Sequence, residues 1–301
     1  MALKLRNRPP LGYAIASQRI QSDKRGGYAL LRLLKALGQL DSCAPFSLGS
    51  GTIQMPLYTT ALETGRLFEI YERDALNAMA QCIQAMGETT VVVDCGADVG
   101  VYSRLLLERT VAFRKLIALE PNALTYPVLE HNMRGSAVAT TLLAKGVARA
   151  PGKGTLRQPD YDESERSFFI DADGGHLELT TLDTLTERFA DAPIAVKLDV
   201  EGAELDIIEG GQNALSRASQ FTVQFEAHPR VTERTGVDPI RCLTALIELG
   251  AKSWTVCEEG AEHPFEGLHA NASFFEQFPK DRIFDVVATT LPDQFPDGVS
   301  T

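Results

Sequence analysis

The stretch Val91-Val92-Val93-Asp94-Cys95-Gly96-Ala97-Asp98-Val99-Gly100 is an apolar run that ends in a carboxylate and a glycine-bounded turn. Glycine has no side chain, so such a turn lets backbone come close to a ligand. Twenty residues past Gly100, Glu120 closes a second apolar run. An acidic residue at that place can accept hydrogen bonds from both hydroxyls of a ribose. The spacing also suits a dinucleotide, but a G-x-G-x-x-G loop starting at Gly96 would need glycine where Asp98 and Val101 stand. Asp98 would also set negative charge against a pyrophosphate, whereas S-adenosylmethionine is a cation. The expected cofactor is therefore S-adenosylmethionine, held by Asp94, Gly96, Ala97, Gly100, Glu120, Pro121 and Asn122. A nicotinamide-dependent oxidoreductase is the alternative.

Ligands of open α/β sheets bind beyond the carboxyl ends of the strands. Asp199, Glu201, Glu226 and His228 fall at the ends of two further apolar runs and are the candidate catalytic residues. Methyl transfer from a sulfonium is an in-line displacement that needs alignment and an acceptor freed of its proton. His228 titrates near neutral pH and is the best base by chemistry, with a surface histidine in a turn as the competing reading. Asp199 ends an apolar strand, where a carboxylate without a task is unusual. Glu201 and Glu226 can orient His228 or, with Asp199, offer Mg²⁺ the oxygen ligands it takes. Glu204 sits in a first helical turn, where an acid meets the positive end of the helix dipole. His131, His176, His263 and His269 show no ligand spacing. Nothing like Asn-Pro-Pro-Tyr follows strand four, which disfavours methylation of exocyclic base amines.

The elements that must carry these residues alternate strand and helix, the pattern of a parallel sheet covered on both faces. Strands are expected at 90–95, 115–120, around 141–147, at 194–199 and at 221–226, the last stopped by Pro229. Helices are expected at 67–86, from Gly100, at 181–189 with Thr181 or Asp183 as cap, and from Ala203 to Gly210. A further helix has Asp238 as cap, Pro239 at its first position and Gly250 after its end. Segments 154–158 and 167–170 read as a hairpin. Two last strands, 252–257 and 283–289, have no clear helix between them and should pair antiparallel. Residues 1–66 form an N-terminal extension or cap, with a helix around 28–40 and a strand around 52–58. Residues 67–290 form the cofactor-binding domain, and residues 291–301 a tail.

With 44% hydrophobic and 23% charged residues, the 301-residue chain can bury a full core, and no apolar run approaches a membrane-spanning length. Five cysteines, never in C-x-x-C spacing, argue against a disulfide framework or zinc site and suit a reducing cytoplasm. The net charge of −11 is uneven: residues 1–40 carry eight basic residues and one acid, or +7, which leaves −18 on the rest. The acidic body disfavours a nucleic-acid partner. The basic segment reads as a solvated arm, a contact for an acidic surface or partner, or a transit-peptide-like start.

On the segments Val93-Asp94-Cys95-Gly96-Ala97-Asp98-Val99-Gly100, Leu119-Glu120-Pro121-Asn122, Asn132, Thr181-Leu182-Asp183 and Val196-Lys197-Leu198-Asp199-Val200-Glu201-Gly202-Ala203-Glu204, the chain resembles the FkbM family of methyltransferases over roughly residues 67–260. It departs from the family pattern at Asp98, commonly Asn, and at Cys95, commonly aliphatic. The resemblance implies a class I methyltransferase (Rossmann-like) α/β fold, a seven-stranded sheet of order 3-2-1-4-5-7-6 with helices on both faces. It also implies O-methylation of a hydroxyl on a sugar, a glycan or a secondary metabolite. A non-catalytic binding module on the same fold is the other alternative, opposed by the presence of Asp94, Glu120, Asp199 and Glu201 together.

Overall fold

The computed structural model describes residues 3–22, 26–62, 72–158, 169–172, 174–258, 261, 265, 267–292 and 294–295. Its centre is a seven-stranded sheet. In chain order the strands are β4 (Val91–Cys95), β5 (Lys115–Leu119), β6 (Thr140–Leu143), β11 (Ile194–Leu198), β12 (Phe221–Ala227), β13 (Ser253–Glu258) and β14 (Phe284–Thr289). Across the sheet they lie β13-β14-β12-β11-β4-β5-β6, which is the expected order 3-2-1-4-5-7-6. β14 runs antiparallel to both neighbours, and the other pairs are parallel. β4 and β11 are buried at every position, as strands covered on both faces must be.

Two cores follow from the alternation of side chains along the strands. Val91, Val93 and Cys95 join Val196, Leu198, Val223 and Phe225 on one face. On the other face, Val92 and Leu116 pack under helices α4 (Arg73–Met86) and α5 (Val101–Arg109). Leu291 and Phe295 are buried in that second core, so part of the expected tail packs against the sheet.

The N-terminal extension holds β1 (Lys4–Leu5), β2 (Ser42–Leu48) and β3 (Gly51–Pro56) in a three-stranded sheet with α1 (Leu11–Gln21), α2 (Gly27–Ala36) and α3 (Leu57–Leu62). α1 was not expected; Pro9-Pro10 precedes it, and Pro10 is its N-cap residue. The expected domain boundary at 66/67 and the first residues of the expected helix 67–86 lie outside the described residues.

Three expectations need correction. The third strand divides, because β6 joins the large sheet while β7 (Gly146–Val147) belongs to a small one with β8 (Gly152–Arg157), β9 (Phe169–Asp171) and β10 (Leu177–Thr180). The expected hairpin is the antiparallel β8–β9 pair. Pro229 does stop β12, but it also starts an unforeseen helix, α10 (Pro229–Thr235), since proline suits a first helical position. β13 and β14 pair antiparallel, yet α12 (Phe274–Gln277) lies between them. The remaining helices are α6 (Tyr126–Asn132), α7 (Leu182–Thr186), α8 (Glu204–Glu209), α9 (Gln212–Arg217) and α11 (Ile240–Glu248). Thr181 caps α7 through the Thr184 N–H, while Asp183 accepts from the Ala214 N–H in α9. Among the described residues no helix is long and apolar enough to cross a membrane.

Candidate functional site

The turn after β4 is shaped by positive φ angles at Gly96 (85°), Asp98 (46°) and Gly100 (91°). A Cβ on Gly96 would stand 1.8 Å from the carbonyl oxygen of Asp199, and one on Gly100 would stand 2.9 Å from Leu129 Cδ1. Both glycines therefore admit neighbouring protein atoms: one brings the β11 end against the turn, the other seats α6. Asp98 in the left-handed region explains why this position takes Asn or Asp, the non-glycine residues that tolerate it best.

Glu120 clamps the turn. Its Oε2 accepts the Asp98 N–H at 2.9 Å and its Oε1 accepts the Asn122 N–H at 2.7 Å. The Thr125 hydroxyl also hydrogen-bonds to the carboxylate. Burial, aided by the Asp98 charge, pushes its pKa up to about 8. Asp94 is fully buried; Oδ2 accepts from Ser103 at 2.5 Å, whereas Oδ1 has no hydrogen-bond partner among the described residues. Burial raises its pKa. Ala97 and Asn122 are buried, Pro121 is partly exposed, and the Asn122 side chain caps the Leu124 N–H. Asn132 donates to the carbonyls of Val99 and Gln54 and accepts from the Gln54 N–H, which ties β3 of the N-terminal extension to the turn.

On the acceptor side, Asp199 pairs with Lys197 at 2.8 Å, its side chain 32% exposed against 3% for the lysine. Lys197 Nζ also stands 3.4 Å from Glu72 and 4.5 Å from the centre of the Tyr102 ring. The Tyr102 hydroxyl donates to Gln224 Oε1 at 2.6 Å, and Gln224 Nε2 donates to Glu72 and to Asp285. Asp94, Lys197 and Gln224 stand side by side in strand register, and Glu226 stands opposite Asp285. Burial pushes Glu226 well above the usual carboxylate range, and Asp199, Glu201, Asp285 and Glu204 add to the rise. Asp285 is raised by burial and then by Glu72.

His228 is the N-cap of α10, and its Nδ1 accepts the Arg230 N–H at 3.1 Å. Burial, then Arg230, lowers its pKa, and because Nδ1 accepts, the neutral ring carries its proton on Nε2. Glu201 has φ 53°, and its carbonyl accepts from Arg234, whose guanidinium lies 4.1 Å over the Phe169 ring of β9. Glu204 turns back to accept the Gly202 N–H at 3.0 Å, and burial raises its pKa to about 7. One pocket is lined by Glu204, Glu226, His228, Val231, Thr235 and Cys242. Glu226 and His228 thus share a cavity, whereas Asp199 faces Lys197. Among the described residues no three His, Cys, Asp or Glu side chains are grouped to hold a metal ion.

Lys197, Glu72, Tyr102, Gln224 and Asp285 were not singled out as site residues. The signal for Lys197 and Gln224 was their place inside otherwise apolar strands, where a charged or amide group is rarely buried without partners. Glu72 carried no signal at all.

The Methyltransferase FkbM domain family matches residues 94–253, more than half of the chain. No curated protein matches. Among solved structures, a SAM-dependent methyltransferase from Leishmania major is similar at 10% identity and TM-score 0.39, covering 92% of this chain and 82% of that one. A tRNA methyltransferase from B. subtilis is similar at 14% identity and TM-score 0.39, with coverage of 75% and 70%. A SAM-dependent O-methyltransferase from Thermotoga maritima is similar at 11% identity and TM-score 0.37, with coverage of 72% and 64%.

Proposed function

This chain belongs to the FkbM family of methyltransferases, and from that premise we propose that it is an S-adenosylmethionine-dependent enzyme that methylates a hydroxyl oxygen of a sugar, glycan or small secondary metabolite. The observation that carries the acceptor side is Asp199: a partly exposed carboxylate at a central strand end, held by a lysine that is itself buried.

The residues of the turn fit the cofactor. Glu120 is a buried carboxylate at the end of β5 that can accept from a ribose hydroxyl, and the Oδ1 of Asp94, unpartnered among the described residues, is a buried acceptor beside the turn that suits a cationic ligand. When bound, the cofactor supplies an electrophilic methyl group. The chain's own task is to present the acceptor oxygen in line and to take its proton. Asp199 is the group best placed to accept the hydrogen of the hydroxyl. Glu226, raised well above the usual carboxylate range by burial, lines the pocket with His228 and is the group proposed to orient the acceptor. His228 has Nδ1 committed to its helix, so a base role would require the Nε2 proton to leave first. The acidic body suits a neutral acceptor better than a nucleic acid. The five cysteines, all buried and free, suit a reducing compartment.

The test is methyl transfer from labelled cofactor to a panel of sugars and glycan fragments, with and without chelator, followed by location of the methyl group. Asp199→Asn should bind cofactor normally and lose turnover by roughly 10²- to 10⁴-fold. His228→Asn keeps a helix-capping side chain and should stay active within a few-fold. If His228→Asn is dead and Asp199→Asn active, the proton goes to His228 instead. Methyl found on nitrogen, or no oxygen product from any acceptor, overturns the hydroxyl reading, and loss of activity with chelator that Mg²⁺ restores puts a metal in the site.

A further inference from the structure

Among the described residues nine large hydrophobic side chains are exposed, and six of them, Leu5, Leu11, Ile15, Tyr28, Leu33 and Leu37, lie within the first 37 residues. Leu11 is 94% exposed. The cause is local. α1 buries Tyr13, Ala16 and Ile20, and α2 buries Leu31 and Leu34, in one small core completed by Leu40, Ala44 and Leu57. Each helix turns one face into that core and leaves its opposite face exposed. On α1 the outward positions include Leu11, Ile15 and Arg19; on α2 they include Tyr28, Arg32, Leu33 and Leu37. Arg8 is exposed just before α1. No described residue from 3 to 40 is acidic.

We infer that this outward face of α1 and α2 docks the protein on an anionic lipid surface. Basic residues interleaved with protruding aliphatic ones match a bilayer interface, where the apolar tips enter the headgroup layer and the cations meet lipid phosphates. Neither helix is long enough to span a bilayer, so the chain would lie on the surface. The charge asymmetry assists. Residues 1–40 carry +7 and the remainder −18, so an anionic surface attracts this end of the chain and repels the rest.

A second copy of the chain fits less well. Face-to-face pairing would set cation against cation. Pairing with the acidic body would find, among the described residues, only scattered exposed apolar side chains, Val111, Leu124 and Ile283. This inference does not depend on the identity of the methyl acceptor.

The experiment is flotation of the full-length protein with vesicles of phosphatidylcholine alone or mixed with phosphatidylglycerol, at low and high salt. Binding should require the anionic lipid and fall several-fold at high salt, because exposed charges are then screened. Leu11→Asp/Leu33→Asp should bind about tenfold more weakly while keeping the circular dichroism and cofactor affinity of the wild type. Arg8→Glu/Arg32→Glu, a milder change for folding, should lose the preference for anionic vesicles. Equal binding to both vesicle types, no binding to either, or full binding by both folded variants overturns the inference. So does self-association that the Leu11→Asp/Leu33→Asp variant abolishes in the absence of vesicle binding, which would make the face an interface between copies.

Discussion

Replacing Lys197 with methionine tests whether the buried cation beneath the strand ends holds the neighbouring carboxylates together. Methionine fills much the same space, so the loss is charge rather than volume. Three interactions go: the 2.8 Å pair with Asp199, the 3.4 Å pair with Glu72, and the contact with the Tyr102 ring. Breaking a buried pair from one side costs about 3–5 kcal/mol. Asp199, about one-third exposed, regains water and softens that figure, while Glu72, at 16%, recovers little. The expected loss of stability near neutral pH is therefore about 2–4 kcal/mol.

Its pH dependence is diagnostic. Asp94 and Asp285 already have folded pKa values raised above 3.8 by burial, and Lys197 opposes that rise. Without the lysine both rise further. A carboxyl raised in the folded state binds more protons folded than unfolded, so stability falls as pH climbs through the raised value. The deficit of Lys197→Met should be small in mild acid and largest in mild base. Urea unfolding followed by the fluorescence of the one tryptophan, Trp254, which is buried in β13, measures it. A variant within about 0.5 kcal/mol of wild type in mild base, or a deficit that does not change with pH, would refute the network's electrostatic role.

Cofactor affinity should rise as pH increases through about 8, because ribose hydroxyls need the ionised form of Glu120. Glu120→Gln should flatten that dependence and weaken binding by about 1–3 kcal/mol, and calorimetry showing the slope intact in the variant would sink the assignment. Gly96→Ala should cost more than about 3 kcal/mol, since its Cβ meets the Asp199 carbonyl at 1.8 Å. Gly236→Ala, at φ +70° with nothing within 4 Å, should cost only about 1 kcal/mol, and equal losses in the two thermal melts would show that the close approach is not what Gly96 serves.

Much of the fold was legible because its signals are local. Continuous apolar runs such as 91–95 and 194–198 report strands buried on both faces, and the alternation with helices reports a parallel sheet. The glycines at 96 and 100, the carboxylate at 120 and the strand-end acids needed only their spacing. Local signals also misled. Pro229 was read as a stop alone, although the same fixed φ that ends a strand begins α10, and the capping place of His228 on that helix was not foreseen.

The sequence by itself determined which residues lie on which face and which types stand at the strand ends, because period and spacing are properties of one segment. What stands opposite each of them is decided by segments far away in the chain. Lys197 reads as an oddity in an apolar strand until Glu72 from the start of α4, Tyr102 from α5 and Gln224 from β12 close around it. Gly96 reads as room for a ligand until β11 brings the Asp199 carbonyl into that room. Asn132 reads as an isolated motif residue until β3 is laid beside it. Such partnerships exist only after the strands have taken their places, since a buried polar group is satisfied by whatever the tertiary fold delivers and leaves no period in the sequence to announce it.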